Sequence, residues 1–359
     1  MKKNAYQKLA RSLDQLPNGF PPTESGVELR LLEMLFEPQQ AELASVMRLS
    51  QEPAEVIANR LDLDPRQASR ELKDMVRKGL IRFNRQDRKL VYGLMPFVVG
   101  FYEEQLPRMD QELALVFEEY YQETQGGITR EKTSVHRVIP VAEALDFEVE
   151  IFPHEQASRL IESAKAWGVR DCICRVQQRL IGNDCDHPVK NCLVFAPIEG
   201  FFDQSVVDQA ISKQEALDIL REAEQAGLVH TTGNYLGPHN YICNCCTCSC
   251  GILRSIADFN RPTAVASSPF LAVVDLEECL GCGDCLESCQ FSALSLEAET
   301  LEIDPLRCVG CGLCALNCPT SALVLQRRPA EELDPIPENI KEWGQRRAEE
   351  RGIDLDQIQ

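Results

Sequence analysis

Eight cysteines in two identically spaced quartets constrain this chain more than any other feature. Cys279, Cys282, Cys285 and Cys289 are followed, 29 residues on, by Cys308, Cys311, Cys314 and Cys318. Each quartet reads C-x2-C-x2-C-x3-C. The flanks repeat too: residues 273–275 and 302–304 lead in, and residues 293–297 and 322–326 lead out. The segment is an internal duplication of one unit, each half supplying a short strand and a ligand loop. Gly281 and Gly283, echoed by Gly310 and Gly312, let the backbone turn so that amide N–H groups face the sulfurs. Four thiols so close together suit a metal centre. A pair of zinc sites is one reading, because C-x2-C also serves zinc. A third cysteine at x2 and a fourth at x3, repeated twice, is not the usual zinc spacing.

The doubled spacing over residues 271–325 resembles bacterial-type ferredoxins carrying two [4Fe–4S] clusters. In that family the fourth cysteine of each quartet serves the other cluster. The resemblance therefore implies one cluster on Cys279, Cys282, Cys285 and Cys318, and a second on Cys308, Cys311, Cys314 and Cys289. Pro319 follows the last cysteine, as in the family. Gln290 stands where the first repeat would carry proline. That departure removes no ligand but bears on the hydrogen bonding around one cluster.

The chain has seventeen cysteines and opens Met1-Lys2-Lys3-Asn4-Ala5, without an apolar secretory core. The thiols are therefore expected to ligate metal in the cytoplasm rather than form a disulfide framework. No run is apolar enough to span a membrane, so no membrane insertion is expected. At 359 residues and 44% hydrophobic content, several compact units are expected. The divisions read as 1–25, helix and linker; 26–125, a helical and β-hairpin unit; 126–265, cysteine-rich and metal-binding; 266–326, the paired quartets; and 327–359, a charged tail acting as a tether or docking segment. The expected fold class is multidomain α+β with an α/β middle.

Net charge is −19, yet residues 60–89 carry ten Lys/Arg against five Asp/Glu, a local +5 that leaves −24 elsewhere. Helices are expected over residues 27–36, 39–49, 53–61 and 65–78, the last with Asp64 as cap and Pro65 at its first position. Strands at 80–83 and 90–94 flank a charged turn, and a further helix is expected over 106–123. This order resembles a winged helix-turn-helix domain. The resemblance implies Arg66, Arg70, Lys73 and Arg77 in the major groove, with Arg82, Arg85, Arg88 and Lys89 near phosphates. Asp62, Asp64, Glu71 and Asp74 interrupt that surface, so DNA is less favoured as a partner than protein.

Residues 126–265 hold nine cysteines in two clumps: Cys172, Cys174, Cys185 and Cys192, then Cys243, Cys245, Cys246, Cys248 and Cys250. Strands are expected at 138–141 and 193–197, a helix over 154–167, and another opened by the capping box Ser212 to Glu215. An extended C-x-C sets both thiols on one face, which would pair Cys172 with Cys174, Cys243 with Cys245, and Cys246 with Cys248 and Cys250. The two clumps are expected to meet around a further centre. Iron–sulfur is favoured for the soft ligands, and zinc competes because the spacing matches no ferredoxin. Arg175 either supports an anionic cluster or pairs with a surface carboxylate. His187, His230 and His239 are read as hydrogen-bonding loop histidines. The middle loosely resembles cysteine-rich segments of anaerobic redox proteins.

No nicotinamide, flavin or ATP motif is evident, and no catalytic residue is assigned. Electron transfer to a redox partner protein is the favoured function. The alternatives are a redox-sensing transcription regulator and an oxidoreductase working at the middle cysteines.

Overall fold

A computed structural model of the chain describes residues 2–145, 151–298 and 300–355. The extreme ends of the segments 1–25 and 327–359 thus lie outside the described residues. The chain divides into two compact units, Met1–Lys132 with Gly344–Gln359, and Thr133–Trp343.

The first unit opens with helix α1 (Lys2–Asp14), whose Leu9 and Leu13, with Leu16 just beyond, are buried. Helices α2 (Val27–Leu35) and α3 (Pro38–Ala44), the two-residue strand β1 (Glu52–Pro53) and helix α4 (Ala54–Asn59) follow. Helix α5 (Pro65–Arg77) begins as its residues dictate: the Asp64 carboxylate accepts from the Gln67 amide at 2.9 Å, and Pro65 occupies the first turn. Strands β2 (Ile81–Gln86) and β3 (Lys89–Leu94) pair from Ile81–Leu94 to Gln86–Lys89. The two-residue turn between them puts Asp87 and Arg88 at positive φ, as a tight hairpin requires. Strand β1 adds to β3, giving the sheet order β1-β3-β2.

Helix α6 (Gln111–Glu123) starts later than the hydrophobic periodicity suggests. Asp110 caps it by accepting from the Leu113 amide, and Pro107 sits in a separate 3₁₀ turn before it. The charged C-terminal segment is no free tether within this unit. On the terminal helix Ile340–Arg351, Arg347 is fully buried, donating to the carbonyls of Pro17 and Ile128 and pairing with Glu131 at 2.8 Å.

The second unit is built on a six-stranded sheet, ordered β4-β8-β9-β6-β5-β7. Its strands are β4 (His136–Ile139), β5 (Ala166–Asp171), β6 (Lys190–Ala196), β7 (Gln209–Ile211), β8 (Val229–Gly233) and β9 (Tyr241–Cys245). Every pairing in it is antiparallel, which makes this an α+β layer rather than an α/β one. Helices α7 (Ala157–Glu162) and α9 (Lys213–Gln225) cover it, burying Ile161, Ala216 and Leu220 against Val169, Leu193, Phe195 and Ile242. The helix expected over 154–167 is therefore short. Trp167 pairs with Phe195, and that ladder draws the segment into β5. Ser212 and Glu215 form the expected capping box on α9. Helices α8 (Ile173–Leu180) and α10 (Gly251–Asp258) each start at a cysteine, Cys172 and Cys250.

The paired quartets close the unit. Strands β10 (Phe270–Val274), β11 (Leu294–Glu297), β12 (Thr300–Ile303) and β13 (Leu323–Arg327) alternate with two short helices, α11 (Asp284–Ser288) and α12 (Leu313–Leu316). Strand β10, entering the first quartet, pairs with β13, leaving the second. Strand β11, leaving the first, pairs with β12, entering the second. Among the described residues no helix is long and apolar enough to cross a membrane.

Candidate iron–sulfur and metal sites

The crossed strand pairing produces two cavities. One is lined by Cys279, Cys282, Cys285 and Cys318, the other by Cys289, Cys308, Cys311 and Cys314. They measure ≈ 350 Å³ and ≈ 340 Å³, including space open to solvent, and each is otherwise walled by small and apolar side chains. Each cavity thus draws three cysteines from one repeat and the fourth from the other. The donor set fits a cubane cluster in each: four soft ligands, a mostly apolar wall, and backbone amides turned toward sulfur. The Ala293 amide donates to Cys289 Sγ at 3.4 Å. Burial pushes the Cys318 thiol up, but the amides of Leu323, Thr320 and Ala322 outweigh it and hold the thiol below its ordinary value.

The two cavities differ in exposure. Cys282 is exposed, and Leu280 beside it is 71% exposed. Cys308 and Cys314 are buried, and burial pushes Cys311 up to about 12. The inner loop is also tighter. A Cβ on Gly310 (φ +67°) would overlap the Phe270 carbonyl oxygen and the Ser268 hydroxyl, and one on Gly312 would lie 2.7 Å from Ala144 Cβ. At Gly283 (φ +84°) the nearest atom would be Leu286 Cδ1, at 3.7 Å.

The nine middle cysteines do not share one site. Six form a closed ring of thiol–thiol contacts running Cys172, Cys174, Cys250, Cys245, Cys243, Cys192 and back to Cys172. Cys172 is held well below its ordinary value by hydrogen bonds from Cys174 and Cys192. Cys245, opposite it in the ring, is lowered by those from Cys243 and Cys250. Arg175 lies against this ring, not against a surface carboxylate. It is buried, donates to Asn191 Oδ1 at 3.0 Å and to the Asn244 carbonyl at 2.9 Å, and leaves its Nε without a partner. Burial alone would lower its pKa, but the thiols of Cys172, Cys246 and Cys245 raise it. Six soft donors beside a buried guanidinium fit an anionic cluster. Behind the ring, His230 bonds Asn244 at 2.6 Å and Glu224 at 3.1 Å.

The remaining three, Cys185, Cys246 and Cys248, meet His187, with all four ligand atoms within 4.8 Å of one another. His187 is thus a candidate ligand that hydrogen-bonding loop status had excluded. Cys185-Asp186-His187 mirrors Cys246-Thr247-Cys248, a pattern that carried the signal. The strand-parity argument holds only for Cys243 and Cys245 on β9. Cys172 and Cys174 come together at the start of α8, a helix and not a strand. A turn at residues 247–249, which carries Cys248, separates Cys250 from Cys246. His239 stacks on Tyr235 at 4.7 Å.

Gln290, next to Cys289, joins the two cysteine-rich regions. Its Oε1 accepts from the Thr247 amide at 2.7 Å, and its Nε2 donates to the Gly227 carbonyl. Proline at this position could do neither.

Residues 278–322 match the family model described as a 4Fe-4S dicluster domain. No curated protein and no solved structure matches the chain. The match spans both quartets, so the chain contains an iron–sulfur dicluster domain of ferredoxin type, which supports a role in electron transfer.

Gly310→Ala is expected to lower iron by about four per chain, one cubane's worth, because the Phe270 backbone cannot move away. Gly283→Ala, strained by its positive φ as Gly310→Ala is but meeting only ordinary contact with Leu286, should keep more of its iron. Anaerobic iron and labile-sulfide analysis of the two variants checks this, and equal iron contents would contradict it.

Proposed function

We propose that this chain is an electron-transfer protein or the electron-transfer subunit of a redox complex. In this reading it has two [4Fe–4S] clusters on the crossed quartets and a third iron–sulfur centre on the six-cysteine ring. The observation that carries the reading is the pair of cavities, each walled by four cysteines drawn from both repeats. When bound, such clusters supply one-electron transfer. The ligands assigned are Cys279, Cys282, Cys285 and Cys318 for the outer cluster, and Cys308, Cys311, Cys314 and Cys289 for the inner one.

The chain's own residues would do the rest. Exposed Leu280 in the wall of the outer cavity, among exposed Glu277, Glu278, Asp284 and Glu287, suits docking of a basic redox partner. Charge of that sign steers the encounter more than it tightens it. At the inner side, the Gln290–Thr247 hydrogen bond ties the Cys289 loop to the loop that follows Cys245 and Cys246. Arg175 would offset the negative charge that six thiolates impose on the ring. The helices α2 to α5 and the sheet order β1-β3-β2 support reading residues 26–125 as a winged-helix head that docks a partner protein.

The test is anaerobic photoreduction with coulometric counting. About one electron per cubane is expected, hence two for the quartets and at least one more for the ring, with Cys243→Ser removing only the additional uptake. A cluster-loaded protein that takes up no electrons reversibly would overturn the reading.

One observation favours a second reading, redox-controlled DNA binding. Arg66, Arg70, Lys73 and Arg77 on α5, and Arg82, Arg85, Arg88 and Lys89 on the hairpin, are all exposed. That reading requires salt-sensitive mobility shifts that differ between reduced and oxidised protein. No such shift is expected if the head docks protein.

A further inference from the structure

We infer that Cys185, His187, Cys246 and Cys248 form a mononuclear zinc site, separate from every iron–sulfur centre of the chain. A tetrahedral zinc ion with Zn–S bonds of about 2.3 Å sets its ligand atoms about 3.8 Å apart. A cubane holds each ligand on a different iron corner and needs them spread wider. Here all four ligand atoms fall within 4.8 Å of one another, with Cys248 Sγ to His187 Nδ1 at 4.0 Å. Among the described residues no other set of such groups is this tight. The two quartets that wall the cluster cavities are not in it. The thiols of the quartets are thus spaced more widely than the ligand atoms of this set.

The donor set agrees. Three thiolates and an imidazole are a recurrent closed coordination sphere for structural zinc, leaving no open position for chemistry. Each pair of donors is separated by one residue, Asp186 or Thr247, so each side supplies its two ligands from a short stretch. One side lies in the loop after α8, beyond Gly182 at φ +87°. The other is the turn at residues 247–249, where the Cys250 amide donates to the Cys246 carbonyl at 3.1 Å. Ser249 Oγ lies 3.6 Å from Cys185 Sγ, a further contact between the two loops.

Zinc here would act as a clamp. Segments 182–188 and 246–248 are loops with no β-ladder between them, yet both border the six-cysteine ring through Cys192 and Cys245. The 246–248 turn also carries Thr247, whose amide meets Gln290 beside the inner quartet. Fixing this turn fixes the join between the two cysteine-rich regions. Zinc has no redox chemistry of its own, so the site would hold geometry without exchanging electrons. This inference stands whether or not the ring carries a cluster.

The experiment uses the full chain isolated anaerobically, with zinc and iron measured together and zinc K-edge absorption recorded. About one zinc per chain is expected, with three sulfur ligands at about 2.3 Å and one nitrogen at about 2.0 Å. His187→Ala should lose the zinc and keep its iron and labile sulfide. His187→Cys should keep the zinc with four sulfur ligands. A wild-type protein without zinc, zinc bound by sulfur alone, or a His187→Ala variant that loses about four irons and no zinc would each overturn the assignment. Should His187→Ala fail to fold, the wild-type metal content and ligand set decide the matter by themselves.

Discussion

The crossed antiparallel pairing of β10 with β13 and β11 with β12 is the constraint on which the C-terminal architecture rests. Each repeat sends a strand into its quartet and another out of it. The strand leaving one repeat finds its hydrogen-bond partner in the strand entering the other. Two short strands in isolation are marginal in water, so neither half is expected to hold its loop alone. Once paired, the fourth cysteine of each quartet is carried across to its neighbour's cavity. The ladder and the grouping of four cysteines around each cavity are therefore one arrangement.

A gradient of burial is laid over that symmetry. The outer cavity has an exposed cysteine and the exposed Leu280 in its wall, whereas the inner one lies against residues 141–144 and β10. Val141 donates to the Cys311 carbonyl at 2.9 Å, and Ser268 donates through its amide to the Val309 carbonyl and through its hydroxyl to the Gly310 carbonyl. Two sequence-related halves thus acquire different environments from what packs on them. Solvent exposure and hydrogen bonds to sulfur are the levers by which a protein separates the potentials of like clusters.

Much of this was legible in the residues. The quartets, the repeated glycines and the duplicated flanks follow from spacing alone, with one short strand expected per half where the fold has two. The cap at Asp64 and the capping box at Ser212 likewise placed their helices. The middle was harder for a physical reason. Its thiols are gathered by a sheet whose neighbours are far apart in sequence, β6 beside β9 and β4 beside β8, so local parity could not say which cysteines meet. Cys250 and Cys246 are four residues apart and fall in different side-chain groups because a turn intervenes. His187 looked like an ordinary loop residue until the 246–248 turn was brought beside it. Gln290 read as a missing proline, and its role as a hydrogen-bonding link needs the fold to be seen.

The central claim is that the two quartets hold iron–sulfur cubanes within one folded unit. Combined iron, labile-sulfide and zinc analysis of the anaerobically isolated full chain tests it most directly, because zinc sites bring no sulfide. At least about eight irons with matching sulfide per chain are predicted. Two or more zinc ions per chain with iron well below eight and little labile sulfide would contradict it.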